Sequence, residues 1–284
     1  MDSFFPALLQ HGFLQTALAA ALLASIGCGV IGTYVVVKRI AFIAGGIAHT
    51  ALGGMGAAVF FGLDPLAGAL AAAVAAALLI GAVSLAWQEQ EDTLISALWA
   101  IGMAVGVLFI ARTPGYQADL PSYLFGNILL APRSSLWFML GLDITLLLAV
   151  WVYHRQFLAV VFDEEFARLR GIPVGFFYLL LLVLVAITVV LLIQLVGLIL
   201  VLALLTLPAA IAGHYVHSLT RMMIIATLLG SLLSVSGLAL SYGPDLPSGP
   251  TIVLLAGAAY VTSALVSRSR TRRRARFVST HHDG

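Results

Sequence analysis

Residues Phe162–Pro173, FDEEFARLRGIP, form a strongly charged island in the middle of a chain that is otherwise almost entirely apolar. Asp163 is a good helix N-cap, because its carboxylate can accept a hydrogen bond from a backbone N–H of the first turn. Gly171 can end a helix in the left-handed conformation, and Pro173 prevents the helix from continuing. The stretch therefore predicts a short, two-turn helix over about residues 163–171.

The predicted helix is amphipathic. Glu164 and Arg168 lie four residues apart with the acid first, which is the favourable order, and Glu165 adds a second acid to the first turn. One side of the helix is apolar and carries Phe162, Phe166 and Leu169. Two interpretations stay open at this point: an ordinary cytoplasmic loop of a membrane protein, or a helix that docks onto a soluble partner.

The rest of the chain has the composition of a membrane protein. Hydrophobic residues make up 62% of the chain and charged residues 9%, whereas about 25% of an ordinary soluble domain is charged. Several apolar runs are long enough to cross about 30 Å of hydrocarbon as helices, and they are too long for the strands of a barrel. We expect an all-α polytopic membrane protein with a single transmembrane domain over residues 1–267.

Two smaller features bear on disulfide bonding and on processing. The single cysteine, Cys28, excludes an internal disulfide. The start of the chain carries Asp2 and no basic segment, so it does not resemble a cleaved signal peptide.

About nine membrane spans (eight to ten) are predicted from the breaks in hydrophobicity. If the N-terminus lies outside, twelve of the fourteen Lys and Arg residues lie inside, and only Arg112 and Arg133 lie outside. This bias predicts a cytoplasmic C-terminus and a cytoplasmic location for the 163–171 helix. The predicted spans lie near residues 12–36, 41–60, 66–86, 94–111, 136–153, 174–192, 195–213, 222–241 and 251–267.

The stretch 174–213 is the hardest to divide, because it has no charged residue and only Gln194 and Gly197 mark a turn. Two tightly joined spans fit its length. A single span is the alternative, but it would move the arginine-rich segment 268–284 to the outside, which the charge rule disfavours. We expect that basic tail to contact anionic lipid in the cytoplasm rather than nucleic acid.

Known catalytic motifs are absent from the sequence. There is no Walker A sequence and no zinc-protease pattern, and no Ser/His/Asp set can be assembled. Gly27-Cys28-Gly29-Val30-Ile31-Gly32 matches G-x-G-x-x-G, but it lies inside a predicted span, where glycines allow helices to pack closely. Gly102-x-x-x-Gly106 has the same meaning. An intramembrane enzyme is therefore disfavoured.

His49 is the most informative residue within a predicted span. It lies ten residues after Arg39, which places it about 15 Å deep in a helix, near the middle of the bilayer. Gly45, His49 and Gly53 share one helix face, with Gly46 beside them, so the face has room for a ligand or for a neighbouring helix. Two interpretations stay open: a pathway histidine able to bind a metal, or a histidine hydrogen-bonded to another helix.

Two acidic residues near predicted span ends are assigned differently. Asp143 is expected near the outer end of the fifth span, at the membrane interface rather than in a functional site. Asp245 lies in the loop 242–250, which Pro247 and two further prolines stiffen. This loop is our candidate for external contact or gating.

The chain resembles the membrane permease subunit of zinc/manganese-type ABC importers, whose fold is related to that of cobalamin and siderophore permeases. The resemblance covers nearly the whole length and lies in six stretches in the family's order. These are KRIAFIAGGIAHTALGG (38–54), EDTLISALW (91–99), SYLFGNIL (122–129), DEEFARLRGIP (163–173), VGLILVLALLTLPAAIA (196–212) and DLPSGPTIVL (245–254).

The resemblance implies a homodimer in the inner membrane with a translocation path along its two-fold axis. It also implies two cytoplasmic ABC ATPase subunits and an extracytoplasmic metal-binding protein. The coupling element to the ATPase would be the predicted helix, with Asp163, Glu164, Glu165, Phe166, Arg168 and Gly171. This chain would bind no resident cofactor and would hold the transported metal only transiently, with His49 as a transit ligand and Gly45, Gly46 and Gly53 packing along the pathway.

One departure from the family pattern concerns the metal. The family commonly carries Gly-Asp-x-x-Ser-His in this stretch, whereas this chain has Gly45 at the position of the acid and Ala48 at that of the serine. The expected function is nevertheless import of a divalent transition metal, zinc or manganese. The alternatives are import of a metal chelate or another small nutrient, and an ion-coupled secondary transporter, which the absence of a secure buried acid disfavours.

Overall fold

A computed structural model describes residues 4–86, 91–113, 126, 128–130, 132–244 and 246–279. The described chain is all-helical and contains no β-strand in these ranges, which confirms the predicted fold class. Besides a 3₁₀ turn at Ile128–Leu130, the helices are α1 (Phe4–Gln10), α2 (Gly12–Val37), α3 (Ala41–Phe60), α4 (Pro65–Ala86), α5 (Glu91–Arg112), α6 (Arg133–Val152), α7 (His154–Phe162), α8 (Glu164–Leu169), α9 (Val174–Val196), α10 (Leu198–Gly213), α11 (Leu219–Tyr242) and α12 (Ser248–Ser279).

Eight of the described helices are long and apolar enough to cross a membrane: α2, α3, α4, α5, α6, α9, α11 and α12. Such helices are stable in hydrocarbon because they satisfy their backbone hydrogen bonds internally. Their ends follow local signals. At the start of α4, for example, Asp64 Oδ2 accepts a hydrogen bond from the Ala67 N–H at 3.0 Å, and Pro65 occupies the first helical position.

The stretch 174–213 forms two helices, as predicted, rather than one. Gly197 separates α9 from α10 with φ of +80°, a conformation that other residues rarely adopt. The second helix has 16 residues, and at about 1.5 Å per residue it is shorter than a full membrane crossing. The predicted span over 195–213 is therefore present as a short apolar helix that begins at Leu198.

The structure differs from the sequence predictions in two places, both near charged segments. Residues 154–162, between the predicted span 136–153 and the predicted helix 163–171, form the amphipathic helix α7. The backbone of α12 continues as a helix to Ser279, beyond the predicted end of the span at residue 267. The end of the basic tail, residues 280–284, lies outside the described residues.

The helices pack as two groups. The first surrounds α2, which contacts α6, α10 and α11, and the second consists of α3, α4 and α5. Helix α9 contacts both α2 and α4 and so joins the groups. The G-x-G-x-x-G stretch on α2 is a packing surface, as predicted: a Cβ at Gly29 would lie 2.7 Å from the backbone of Thr227, and one at Gly32 would overlap the carbonyl of Leu205.

Candidate functional site

Helix α8 has the predicted caps at both ends. Asp163 Oδ1 accepts a hydrogen bond from the Phe166 N–H at 2.9 Å. At the other end, Gly171 adopts φ of +73° and its N–H donates to the Arg168 carbonyl, while the Ile172 N–H donates to the Ala167 carbonyl. This pair of bonds is a Schellman motif, which satisfies the last carbonyls of the helix. The result is a rigid six-residue helix.

The apolar side of α8 faces outward. Phe162, Phe166 and Leu169 are 60%, 46% and 87% exposed, whereas Ala167 is fully buried against the rest of the protein. The Arg170 guanidinium lies 4.6 Å from the centre of the Phe166 ring, an arrangement that favours contact between a cation and an aromatic face. These side chains are therefore available for contact with lipid or with a partner.

Glu164 connects α8 to the end of α2, where Lys38 is the C-cap residue. Its carboxylate forms an ion pair with Lys38, and the Lys38 ammonium also donates to the Val160 carbonyl at 3.4 Å. The predicted pairing of Glu164 with Arg168 is present at 3.8 Å, but Arg168 is largely exposed. The sequence did not predict the pair with Lys38, since these residues are 126 positions apart. Two residues, Arg39 and Ile40, separate Lys38 from the first residue of α3.

His49 lies on α3 and is 7% exposed, and its Nδ1 has no hydrogen-bond partner within the described chain. Its ring stacks on Trp99 of α5, with a centroid distance of 4.1 Å and an interplanar angle of 17°. No group of three or more His, Cys, Asp or Glu residues is found in the described part of the chain. Within the described part of the chain, the ring contact of His49 is thus with an aromatic residue of another helix.

The glycines on the His49 face of α3 allow a neighbouring helix to pack closely. The sequence predicted room there either for a ligand or for such a helix. A Cβ at Gly53 would lie 2.6 Å from the Gly102 carbonyl oxygen, and one at Gly46 would lie 2.7 Å from Ile95 Cγ2. At Gly45 the nearest atom would be Trp99 Cζ3, at 3.3 Å. All three neighbours belong to α5. The Gly102-x-x-x-Gly106 motif therefore packs against α3 within this chain.

Trp99 is the residue near His49 that sequence reasoning did not identify. It ends the stretch EDTLISALW, but its role depends on the pairing of α3 with α5, which residue spacing within one helix cannot show. The glycines Gly53 and Gly102, which allow α3 and α5 to pack closely, were the sequence signal for this pairing.

The expectation that Asp143 lies at the membrane interface is wrong. Asp143 is 4% exposed, and its Oδ2 has no hydrogen-bond partner within the described chain. It is buried because Gly27 on α2 has no side chain: a Cβ there would lie 2.9 Å from Asp143 Oδ1 and 3.8 Å from Thr188 on α9. The described spans therefore do contain a buried acid, so the sequence argument against a secondary transporter loses that support.

The candidate external loop can be assessed only in part. Asp245 lies outside the described residues. Pro247 is exposed just before α12, and its carbonyl accepts a hydrogen bond from the Thr251 hydroxyl at 2.9 Å.

The fold defines a class of protein: a polytopic helical membrane protein with a short, capped helix between two of its candidate membrane spans. Comparison with known proteins identifies the family. The chain belongs to the ABC 3 transport family, whose profile matches residues 10–267. This is a family of transporter permeases rather than of enzymes, which confirms the resemblance seen in the sequence.

Relatives and solved structures agree with this assignment. The membrane protein slr2045 of Synechocystis sp. is 47% identical, covering 92% of each chain. The manganese transport system membrane protein MntC of Halalkalibacterium halodurans is 35% identical, covering 93% of this chain and 90% of its own. The structure of PsaBC from Streptococcus pneumoniae in complex with Fab matches with a TM-score of 0.83 and 32% identity, over 92% of this chain and 94% of that chain.

Proposed function

We propose that this chain is the membrane permease of an ABC importer that moves a divalent transition metal, zinc or manganese, into the cytoplasm. The observation that carries the proposal is the capped helix α8. Its apolar side chains are exposed, and its Glu164 pairs with Lys38, which lies just before α3. Membership of an ABC transport family supports the presence of a separate ATPase. The names of relatives such as the manganese permease of Halalkalibacterium halodurans support a metal as cargo.

In this scheme α8 is the coupling element. Phe166 and Leu169 enter a groove on a cytoplasmic ATPase, and the two caps keep the helix rigid, so that a movement of the ATPase displaces α8 as a unit. The Lys38–Glu164 ion pair passes this displacement to the end of α2 and, through Arg39 and Ile40, to α3, which carries His49. The chain itself carries out no covalent chemistry and holds no resident cofactor.

His49 is the proposed transit ligand. A neutral imidazole binds transition metals, and a nitrogen buried without a partner is available to do so. Its affinity should be low, because an ion held tightly cannot leave the pathway. The proposed assembly is a homodimer in the inner membrane, with the N-terminus outside and an extracytoplasmic metal-binding protein docking near Asp245 and Pro247.

The experiment is reconstitution of the chain with its ATPase in liposomes, with zinc or manganese supplied by the binding protein. Metal uptake and metal-stimulated ATP hydrolysis should require all three proteins. His49→Ala should lower uptake while leaving the assembled complex intact, and the exposed His11→Ala should serve as the matched control with normal uptake. Transport by this chain without an ATPase would overturn the importer assignment. Normal uptake by His49→Ala would remove His49 from the pathway.

A further inference from the structure

A groove of about 660 Å³ lies between α6 and α11. Both helices contact α2, and Ile26 and Val30, which lie four residues apart on one face of α2, form the base of the groove. Leu147 of α6 and Leu228 of α11 lie on its two sides. Leu228 is 64% exposed, so the groove opens onto the outer surface of the helices. Among the described residues that line it, none belongs to α3 or α8.

The groove begins at one end of the spans and runs into the membrane. Trp151 near the last residue of α6 and Thr220 near the first residue of α11 line it at that end, and Leu147 and Leu228 line it further along. The eight residues from Thr220 to Leu228 correspond to about 12 Å of helix. One leaflet contributes about 15 Å of hydrocarbon, half of the core of a bilayer. The groove therefore has the length needed to hold much of one acyl chain.

The end of the groove at the membrane surface is basic. His154 and Arg155, the first two residues of α7, line it there. Arg155 is exposed and takes part in neither of the two ion pairs found in the described part of the chain. The described lining residues include no acid. Trp151 beside them is 78% exposed, as is typical of tryptophans at the level of lipid headgroups.

We infer that this groove binds an anionic phospholipid, with an acyl chain between α6 and α11 and the phosphate at Arg155. Basic pockets between transmembrane helices are sites for anionic lipid headgroups, and the apolar length of the groove suits the attached chain. The inference goes beyond the proposed function, since it requires neither a metal nor an ATPase. A lipid bound here contacts the start of α7, which leads directly into α8.

The test is photocrosslinking of the full-length chain in phosphatidylcholine liposomes. Two probes carry the same diazirine in one acyl chain, and they differ in the headgroup: anionic phosphatidylglycerol or neutral phosphatidylcholine. Mass spectrometry maps the labelled residues, which separates the groove from the basic tail. Leu78 and Leu79 on α4, which are 43% and 47% exposed, provide the reference surface.

In the wild type, the ratio of phosphatidylglycerol to phosphatidylcholine labelling should be about fivefold higher in the groove than at the reference surface. This is the contribution of one basic residue near a membrane surface. Arg155→Gln should abolish the preference and leave the reference ratio unchanged. Arg112→Gln is the matched control, because Arg112 is an exposed arginine at the end of α5 and does not line the groove.

A second pair of variants tests the apolar part of the groove. Ile224→Trp places a large side chain in the groove and should lower labelling of Leu147 by both probes, because the acyl chain is displaced. Ile144→Trp is the control and should leave this labelling unchanged. Both isoleucines are 56% exposed, but Ile144 does not line the groove.

Equal labelling ratios in the groove and at the reference surface of the wild type would overturn the inference, because the groove would then hold only the general lipid shell. An unchanged ratio in Arg155→Gln would also overturn it. If neither probe labels the groove in the wild type and Ile224→Trp prevents dimer formation, the occupant is a second copy of the chain and not a lipid.

Discussion

Helix α8 and the His49 turn of α3 both carry polar residues in an apolar chain, but they are built in different ways. The geometry of α8 depends on residues within ten positions of one another: Asp163 caps its start and Gly171 ends it. The geometry of the His49 turn depends on α5, whose Trp99 and Gly102 lie about fifty positions further along the chain. One region is specified by local hydrogen bonds, and the other by how closely two helices pack.

This difference suggests that a single methyl group can damage the second region and spare the first. In Gly53→Ala the new methyl would meet the Gly102 carbonyl oxygen at 2.6 Å, so α3 and α5 must separate. We expect a loss of about 1–3 kcal/mol in stability, together with loss of the His49–Trp99 stack. Thermal unfolding in detergent measures the first effect, and tryptophan fluorescence measures the second.

Gly141→Ala is the control for this substitution. Gly141 is exposed on α6, and a Cβ there would meet no atom within 4 Å. The Gly141→Ala protein should therefore be as stable as the wild type. Hydrogen exchange at the α8 amides should be unchanged in both variants. Loss of protection in α8 for Gly53→Ala would show that the two regions are not independent.

The same contrast explains what the sequence could and could not predict. The caps of α8, the break at Gly197 and the packing role of the α2 glycines follow from residue types and short spacings, and the structure confirms them. The burial of Asp143 was predicted wrongly, because it depends on the missing side chain of Gly27 on another helix. Trp99 over His49 and Lys38 beside Glu164 were missed for the same reason: each contact joins distant segments.

The Lys38–Glu164 ion pair joins α8 to the chain just before α3, and reversing its charges tests whether the two regions are coupled. The two side chains are 19% and 31% exposed, so the pair is partly shielded from water. Lys38→Glu and Glu164→Lys should each lower stability by about 1 kcal/mol, a typical coupling energy for residues in contact. Metal-stimulated ATP hydrolysis by the assembled transporter should fall in each single variant.

The double variant with both charges exchanged is the control for this prediction. It restores an acid next to a base, so it should recover much of the lost stability and hydrolysis. Equal defects in the single and double variants would mean that the two residues act separately, and that α8 does not transmit its position to α3 through this contact.

The smallest expected effect on stability belongs to the exposed side of α8, and this makes it the cleanest test of docking. Leu169 is 87% exposed, so Leu169→Gln should change the stability of the isolated chain by no more than about 0.5 kcal/mol. Association with the ATPase, measured by co-purification, should nevertheless weaken, because an apolar contact is lost.

Leu9→Gln is a matched control, since Leu9 is 81% exposed on α1 and is predicted to lie at the opposite membrane face. If both variants retain the ATPase equally well, the apolar side of α8 is not the docking surface. That outcome would favour the other interpretation of the sequence, in which α8 is part of an ordinary cytoplasmic loop and its caps serve only to stabilise the helix.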